Sequence, residues 1–232
     1  ARPPLERVPT MYLISTLDNA VRMGKFPQMF AGMFWSNSSK LGQEGFLPYV
    51  KIMNEENVEL AGLAIFQNDR LVGTTEPLDI AAYMGIQHLN PGGYRASIPI
   101  EGTTVTLYAT HRSSKIHVRI RNGLPEFTVN IQNELNIEEK TNERLSISNQ
   151  AILKHIQEID ERFSTKLHDD FVERTQQLGA DIVGFGEYVR AKKPKYWSKN
   201  VKTKENWQRM YKGVNVRIEV DLKIRRVGMK AK

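Results

Sequence analysis

The sequence predicts an α+β fold: a small region of helices and a β-hairpin precedes a mainly antiparallel sheet of about five strands with one long helix packed on its face. Apolar and polar residues alternate over residues 126–137 and again over 214–227, which is the period of a strand with one wet face. Between them, residues 148–178 carry apolar side chains at steps of three and four, typical of a helix about 45 Å long. The composition, 40% hydrophobic and 25% charged, is that of a globular chain.

The first region is predicted to hold two helices, a set of short strands and a third helix. One helix starts at Pro9 and Thr10 and ends at Gly24, and a second covers residues 27–35 with Pro27 in its first turn. Strands are predicted at residues 47–53, 58–67 and 71–73, with a tight turn at 68–69. Thr75 is expected to cap a short helix over residues 77–89.

The second region is predicted to begin after the Asn-Pro-Gly-Gly run at residues 90–93, which is the strongest turn signal in the chain. We therefore divide the chain into a domain of residues 1–92 and a domain of residues 93–232. Gly179 is expected to end the long helix, and the last strand returns to the same sheet with its charged side chains outward. The predicted strands of this domain cover residues 94–100, 103–110, 115–121, 126–137 and 214–227.

Composition excludes several classes of protein. The chain has no cysteine, so it has neither disulfides nor thiolate zinc sites. It has no run of about 20 apolar residues and no signal peptide at its start, and as given it is expected to be soluble. The net charge of +7 is unevenly placed, because residues 187–232 hold 15 Lys and Arg against 4 Asp and Glu. This basic excess predicts an anionic partner, either nucleic acid or a lipid surface, with a merely solvated face as the alternative.

No residues stand at the spacing that catalysis or metal binding needs. The Gly-x-Ser-x-Gly and His-Glu-x-x-His patterns are absent from the sequence, and the carboxylate pairs at 138–139 and 169–170 lie in polar stretches where nothing would raise a pKa. We therefore predict no enzyme activity, no bound metal and no cofactor. Five histidines show no ligand spacing and are expected at the surface or on the side of a helix: His88, His111, His117, His155 and His168.

The most distinctive sequence segment follows the long helix and forms a candidate structural or interaction motif. Its glycines lack the third member of a dinucleotide-binding loop, so we interpret them as allowing a close backbone pass beneath the long helix, with Phe185 in the core. Trp197 and Trp207 lie ten residues apart and need not share a helix face. Together with the nearby lysines, their side chains could bind nucleic acid, but no known nucleic-acid-binding signature accompanies them. The motif comprises Gly184, Phe185, Gly186, Glu187, Arg190, Pro194, Trp197 and Trp207.

This sequence segment resembles the Ger(x)C family, the C-subunit lipoproteins of nutrient germinant receptors in spore-forming bacteria. The resemblance rests on residues 181–188 with the motif's later residues, and on the closing strand that ends at 225–228. Residues 60–66 and 69–73 are also similar to a hairpin of that family, so the resemblance covers nearly the whole chain.

The resemblance implies a non-enzymatic subunit that is lipid-anchored on the outer face of the spore inner membrane. Its implied partners are the integral membrane A and B subunits, and its implied role is to hold that complex together or to relay the nutrient signal. The chain lacks the family's signal peptide, its lipid-accepting cysteine and its first domain, so we expect a fragment with the second and third domains. The basic C-terminal face would then meet anionic lipid; the alternative is a basic module that binds nucleic acid or another polyanion.

Overall fold

The structure is a computed structural model that describes residues 9–53, 57–89, 95–100, 102–141 and 149–227. Within these ranges the chain forms two β-sheets, with helices placed before, between and after their strands. None of the described helices combines the length and the hydropathy that crossing a membrane requires. The α+β prediction is confirmed.

The first region contains helices α1 and α2 and an antiparallel sheet in the order β1-β2-β3. The hairpin predicted at residues 68–69 joins β2 to β3. The predicted start of α2 is wrong by four residues: Phe26 and Pro27 are buried, and the chain stays extended until Phe30 before the helix begins. The elements are α1 (Pro9–Arg22), α2 (Ala31–Ser39), β1 (Phe46–Ile52), β2 (Val58–Gln67) and β3 (Arg70–Thr74).

Helix α3 (Asp79–Ile86) follows this sheet, and the prediction that Thr75 caps it is wrong. The Thr75 hydroxyl accepts a hydrogen bond from the backbone N–H of Leu63 at 2.9 Å, so it serves strand β2 instead. The carboxylate of Asp79 accepts from the N–H of Glu76 at 2.9 Å and closes the turn before the helix.

The second sheet has four strands, in the order β4-β5-β6-β7: β4 (Arg95–Ile100), β5 (Thr103–Arg121), β6 (Leu124–Lys140) and β7 (Asn215–Val227). The two strands predicted at 103–110 and 115–121 form one strand, because the polar residues between them stay paired with β6. Strand β7 runs parallel to β6, and the other pairings are antiparallel. Its predicted alternation is confirmed: Ile218 and Leu222 are buried, and the intervening charged residues are exposed.

Helix α4 (Gln150–Leu178) packs on this sheet and confirms the predicted long helix. The side chain of Asn149 accepts from the N–H of Ala151, and Gly179 ends the helix with a φ of 66°. Such a left-handed conformation favours glycine, because a Cβ would collide with the backbone. Four short helical segments follow it: α5 (Phe185–Lys192), α6 (Pro194–Tyr196), a π-helical turn (Trp197–Val201) and α7 (Lys204–Tyr211).

The main hydrophobic core takes side chains from both regions. Phe46 and Leu63 of the first sheet share it with Phe127 of the second sheet, Phe171 of α4 and Phe185 of α5. The predicted boundary at residues 90–93 lies outside the described residues, so the division into 1–92 and 93–232 stays a prediction.

Candidate functional site

The motif predicted from the sequence is organised by the buried carboxylate of Asp181. It accepts hydrogen bonds from the N–H groups of Gly184 at 2.7 Å and Gly186 at 2.8 Å, and from the indole N–H of Trp207 at 3.0 Å. Burial raises the pKa of Asp181 to about 6, although these donors act in the opposite direction. Gly184, with a φ of 87°, directs the chain from this turn into α5.

The backbone at Gly186 lies in contact with a loop of the first region. A Cβ added to Gly186 would stand 2.5 Å from Nε1 of Trp207 and 2.6 Å from Cα of Gly42. A Cβ added to Gly42 would stand 2.3 Å from the carbonyl carbon of Gly186, so neither position has room for a side chain. The chain that passes the glycines is therefore the Gly42 loop and not the long helix, so the predicted pass beneath the long helix is wrong. Phe185 is fully buried against Phe127.

Two hydrogen bonds also join the Gly42 loop to the segment around Gly186. Oε1 of Glu187 accepts from the N–H of Gly42 at 2.8 Å, while its Oε2 pairs with Arg190 at 2.9 Å. The N–H of Glu44 donates to the carbonyl of Asp181 at 2.8 Å. We call this contact, between residues 40–45 and residues 181–190, the junction.

A buried ion pair extends the junction to α7. Nζ of Lys204 lies 3.0 Å from Oε2 of Glu44, and the amide of Gln208 donates to Oε1 of Glu44 at 2.6 Å. Glu44 also accepts from the N–H of Asn68 at 3.0 Å. Glu44 is 1% exposed and Lys204 is 9% exposed, so each charge depends on the other for compensation.

The remaining motif residues support the segment behind the junction. Pro194 starts α6, and Trp197 and Trp207 are buried with their ring centroids 5.9 Å apart. The two tryptophans do not lie on one continuous helix, because Lys202 has a φ of 67° and interrupts the helical backbone between them. Their ten-residue spacing therefore does not set the angle between their side chains. Since both indoles are in the core, neither is available for stacking on a nucleic-acid base.

Two titratable groups of α4 are partly or fully buried. Of the two positions expected for the histidines, His168 takes the side of a helix: it is 4% exposed on α4, it packs against Gly85, and burial lowers its pKa to about 4. Partial burial, together with the neighbouring Asp170, raises the pKa of Asp169, where no shift was expected. Among the described residues, no group of three or more His, Asp or Glu side chains could hold a metal ion.

A strongly basic surface follows α5. Residues 188–204 contain seven Lys or Arg and no Asp or Glu. Arg190 and Lys204 form the ion pairs described above, and none of the other five makes an ion pair with a described residue. We call these five the lysine surface: Lys192, Lys193, Lys195, Lys199 and Lys202. The hydroxyl of Tyr196 donates to the carbonyl of Gly123 at 2.7 Å and fixes this segment to the β5–β6 turn.

Comparison with known proteins gives consistent matches. Residues 61–228 match the family described as "Spore germination B3/GerAC like, C-terminal". The putative spore germination protein YfkR of Bacillus subtilis (strain 168) is 23% identical over 252 residues, covering 94% of this chain and 63% of YfkR. Spore germination protein KC of the same organism is 25% identical over 127 residues, covering 54% of this chain and 30% of that protein.

The fold also has a counterpart among solved structures. The crystal structure of the GerBC protein superimposes with a TM-score of 0.72 at 18% identity, covering 84% of this chain and 60% of that one. At this identity the likeness shows the fold alone. The chain spans less than two thirds of the length of YfkR and of GerBC.

Proposed function

The chain belongs to the GerAC-like family of spore germination proteins, and from this premise we propose that it is a non-enzymatic subunit of a nutrient germinant receptor. The family match supports a role in germination. The receptor complex, its A and B subunits and the relay of the nutrient signal are our proposal.

The junction is the observation that carries a scaffold role. The motif responsible for the family resemblance is used to fix the Gly42 loop against α5, through packed glycines and buried hydrogen bonds. A protein that holds membrane subunits together must keep its contact surfaces at a set distance and angle. A junction without room for a single added carbon supports such a role.

For the longer protein we propose a lipid anchor at the outer face of the spore inner membrane, with the lysine surface turned toward anionic headgroups. Each lysine near such a surface contributes about 1 kcal/mol of attraction, and the effect decays within a Debye length. The lysines are compact charges, and the two tryptophans of the same segment, Trp197 and Trp207, are buried, which favours a charged surface over single-stranded nucleic acid.

The receptor role is tested in spores. Deleting the parent gene in its spore-forming host should abolish or narrow germination with nutrients, followed as the loss of optical density. Non-nutrient triggers should still work. Normal germination with every nutrient, in a strain without paralogues, would contradict the proposal.

The lipid contact is tested with vesicles. The triple variant Lys192→Glu, Lys195→Glu, Lys199→Glu should lose sedimentation with vesicles that contain anionic lipid at low salt. The control variant changes Lys25, Lys115 and Lys223 to Glu, which are also exposed and lower the net charge equally; it should stay close to the wild type. Equal retention on neutral and anionic vesicles, or equal losses in the two variants, would refute a specific lysine surface. Tighter, salt-dependent binding of a DNA oligonucleotide would favour the polyanion alternative.

A further inference from the structure

A cavity of about 530 Å³ lies between α2, the end of α3 and the junction. This volume is in the range of pockets that hold small molecules, and such pockets often lie where two parts of a fold meet. Helix α2 covers one side of the cavity with Met33 and Asn37, and no residue of α2 is buried. The helix is held by a hydrogen bond from Lys204 to the carbonyl of Ser38 and by the contact of the Phe34 ring with Phe66.

One wall carries a tyrosine whose hydroxyl forms no hydrogen bond with the described residues. Tyr83 is 6% exposed, and its ring packs edge-on against Phe46, with centroids 4.7 Å apart. No described residue forms a hydrogen bond with the Tyr83 hydroxyl. Burial moves its pKa upward, so the hydroxyl stays protonated and is available as a donor. The hydroxyl is not among the fully buried side-chain atoms that lack a hydrogen bond, so it keeps contact with the solvent of the cavity, and a ligand acceptor would replace water there.

The other polar groups of the cavity also favour an acceptor. Nζ of Lys40 donates to Oδ1 of Asn37 at 2.9 Å and to Oε1 of Gln43 at 3.0 Å, which leaves one N–H of the ammonium. Lys40 forms no ion pair with any described carboxylate. The Glu187 carboxylate lines the cavity as well, but both of its oxygens are engaged in the junction by the N–H of Gly42 and by Arg190.

We infer that this cavity binds a small organic carboxylate with an apolar body. The carboxylate accepts from the hydroxyl of Tyr83 and from the ammonium of Lys40, and the half-buried Tyr188 hydroxyl, which also lacks a partner among the described residues, lies on the same lining. The apolar body packs against Met29 and Met33, flexible side chains that adapt to different shapes. This activity is separate from the scaffold role and does not depend on it.

The test uses this chain and three probes: 4-methylpentanoate, hexanoate and phenylacetate, each compared with its uncharged amide. Saturation-transfer NMR and thermal shift should detect at least one carboxylate, with the matching amide weaker by roughly tenfold or more. Failure of all three carboxylates at millimolar concentration, or equal binding of acid and amide, overturns the inference.

Variants separate binding from folding. Tyr83→Phe removes an unpartnered hydroxyl, so the unliganded protein should melt at the wild-type temperature or higher, while binding of the carboxylate weakens by roughly tenfold. Lys40→Gln should weaken binding similarly. The control is Tyr211→Phe, which removes a buried hydroxyl that bonds to Thr175 at 2.8 Å; it should lower the melting temperature and leave the carboxylate affinity unchanged. Wild-type affinity in Tyr83→Phe would overturn the assignment.

Discussion

Replacing Gly186 with valine tests the junction most directly. Even the first added carbon would stand 2.5 Å from Nε1 of Trp207 and 2.6 Å from Cα of Gly42, distances at which something must move. Gly42 contributes backbone, so it cannot rotate away as a side chain would. The indole of Trp207 can move only by giving up its hydrogen bond to Asp181.

The size of the effect follows from these two contacts. Forcing extra carbons into a packed core destabilises by about 1–3 kcal/mol. Leaving the buried Asp181 carboxylate without the Trp207 donor adds about 1–3 kcal/mol. Some relaxation is expected, so we predict a loss of about 2–5 kcal/mol. For a chain of 232 residues this lowers the melting temperature by roughly 5–15 °C.

The assay is thermal unfolding followed by near-ultraviolet circular dichroism, which reports on the buried tryptophans. The matched control is Gly32→Val in α2, because a Cβ at Gly32 has no atom within 4 Å. This control should melt close to the wild type. If Gly186→Val melts with the wild type, the close contact with Gly42 does not stabilise the protein and the reasoning fails.

Two further predictions concern buried carboxylates. Glu44→Gln leaves the charge of Lys204 buried without its counterion and should lower the free energy of unfolding in urea by about 3 kcal/mol. The control is Glu219→Gln, which removes an exposed pair with Arg217 and should change this free energy by less than about 1 kcal/mol. Equal effects of the two changes would contradict the role of burial. Asp160 is buried without a hydrogen-bond partner among the described residues, and burial raises its pKa to about 6. Because the folded protein disfavours the ionised carboxylate, its contribution to stability is lost as pH rises through that value. At about pH 8, Asp160→Asn should therefore raise the free energy of unfolding by up to about 3 kcal/mol, and the melting temperature with it. At about pH 4 it should have little effect. Identical melting curves for the two proteins at both pH values would contradict this prediction.

The local sequence pattern was sufficient to predict the elements in which apolar residues recur with one period over many residues. Helix α4 shows a helical apolar stripe along its whole length, and β7 alternates through most of its residues, so both were predicted nearly to their ends. Strand β5 was split because residues 111–114 are polar and resemble a turn, yet they pair with β6. Similarly, Pro27 is a common first residue of a helix, but its burial next to Phe26 delays the start of α2.

The junction shows why the site was predicted only in part. Residues 184–187 stood out because glycines flank an aromatic residue, which is visible locally. Their partners did not stand out: Gly42 reads as an ordinary loop glycine, and Glu44 lies 164 positions before Gln208, to which it is bound. Lys204 is one of many lysines in a basic segment, and nothing in the sequence distinguishes it as the buried one. Contacts over such separations are set by packing of the whole chain, which periodicity does not report.

The positions of the cavity and the lysine surface constrain how a signal would pass between them. Gly184 and Tyr188 line the cavity, and α5, which starts next to Gly184, ends at Lys192 about 12 Å further on. A ligand shifts a protein only by binding one conformation more tightly than another. Moving α5 against the Gly42 loop would break the glycine contacts and hydrogen bonds of the junction, and moving α2 would break the Lys204–Ser38 hydrogen bond and the contact of Phe34 with Phe66. A relay that keeps these contacts therefore moves α5 and the Gly42 loop together. A relay of this kind requires the junction to stay closed, so spores that carry Gly186→Val should lose the nutrient response even at temperatures where the variant protein is folded. A normal response in those spores would show that signalling does not pass through the junction.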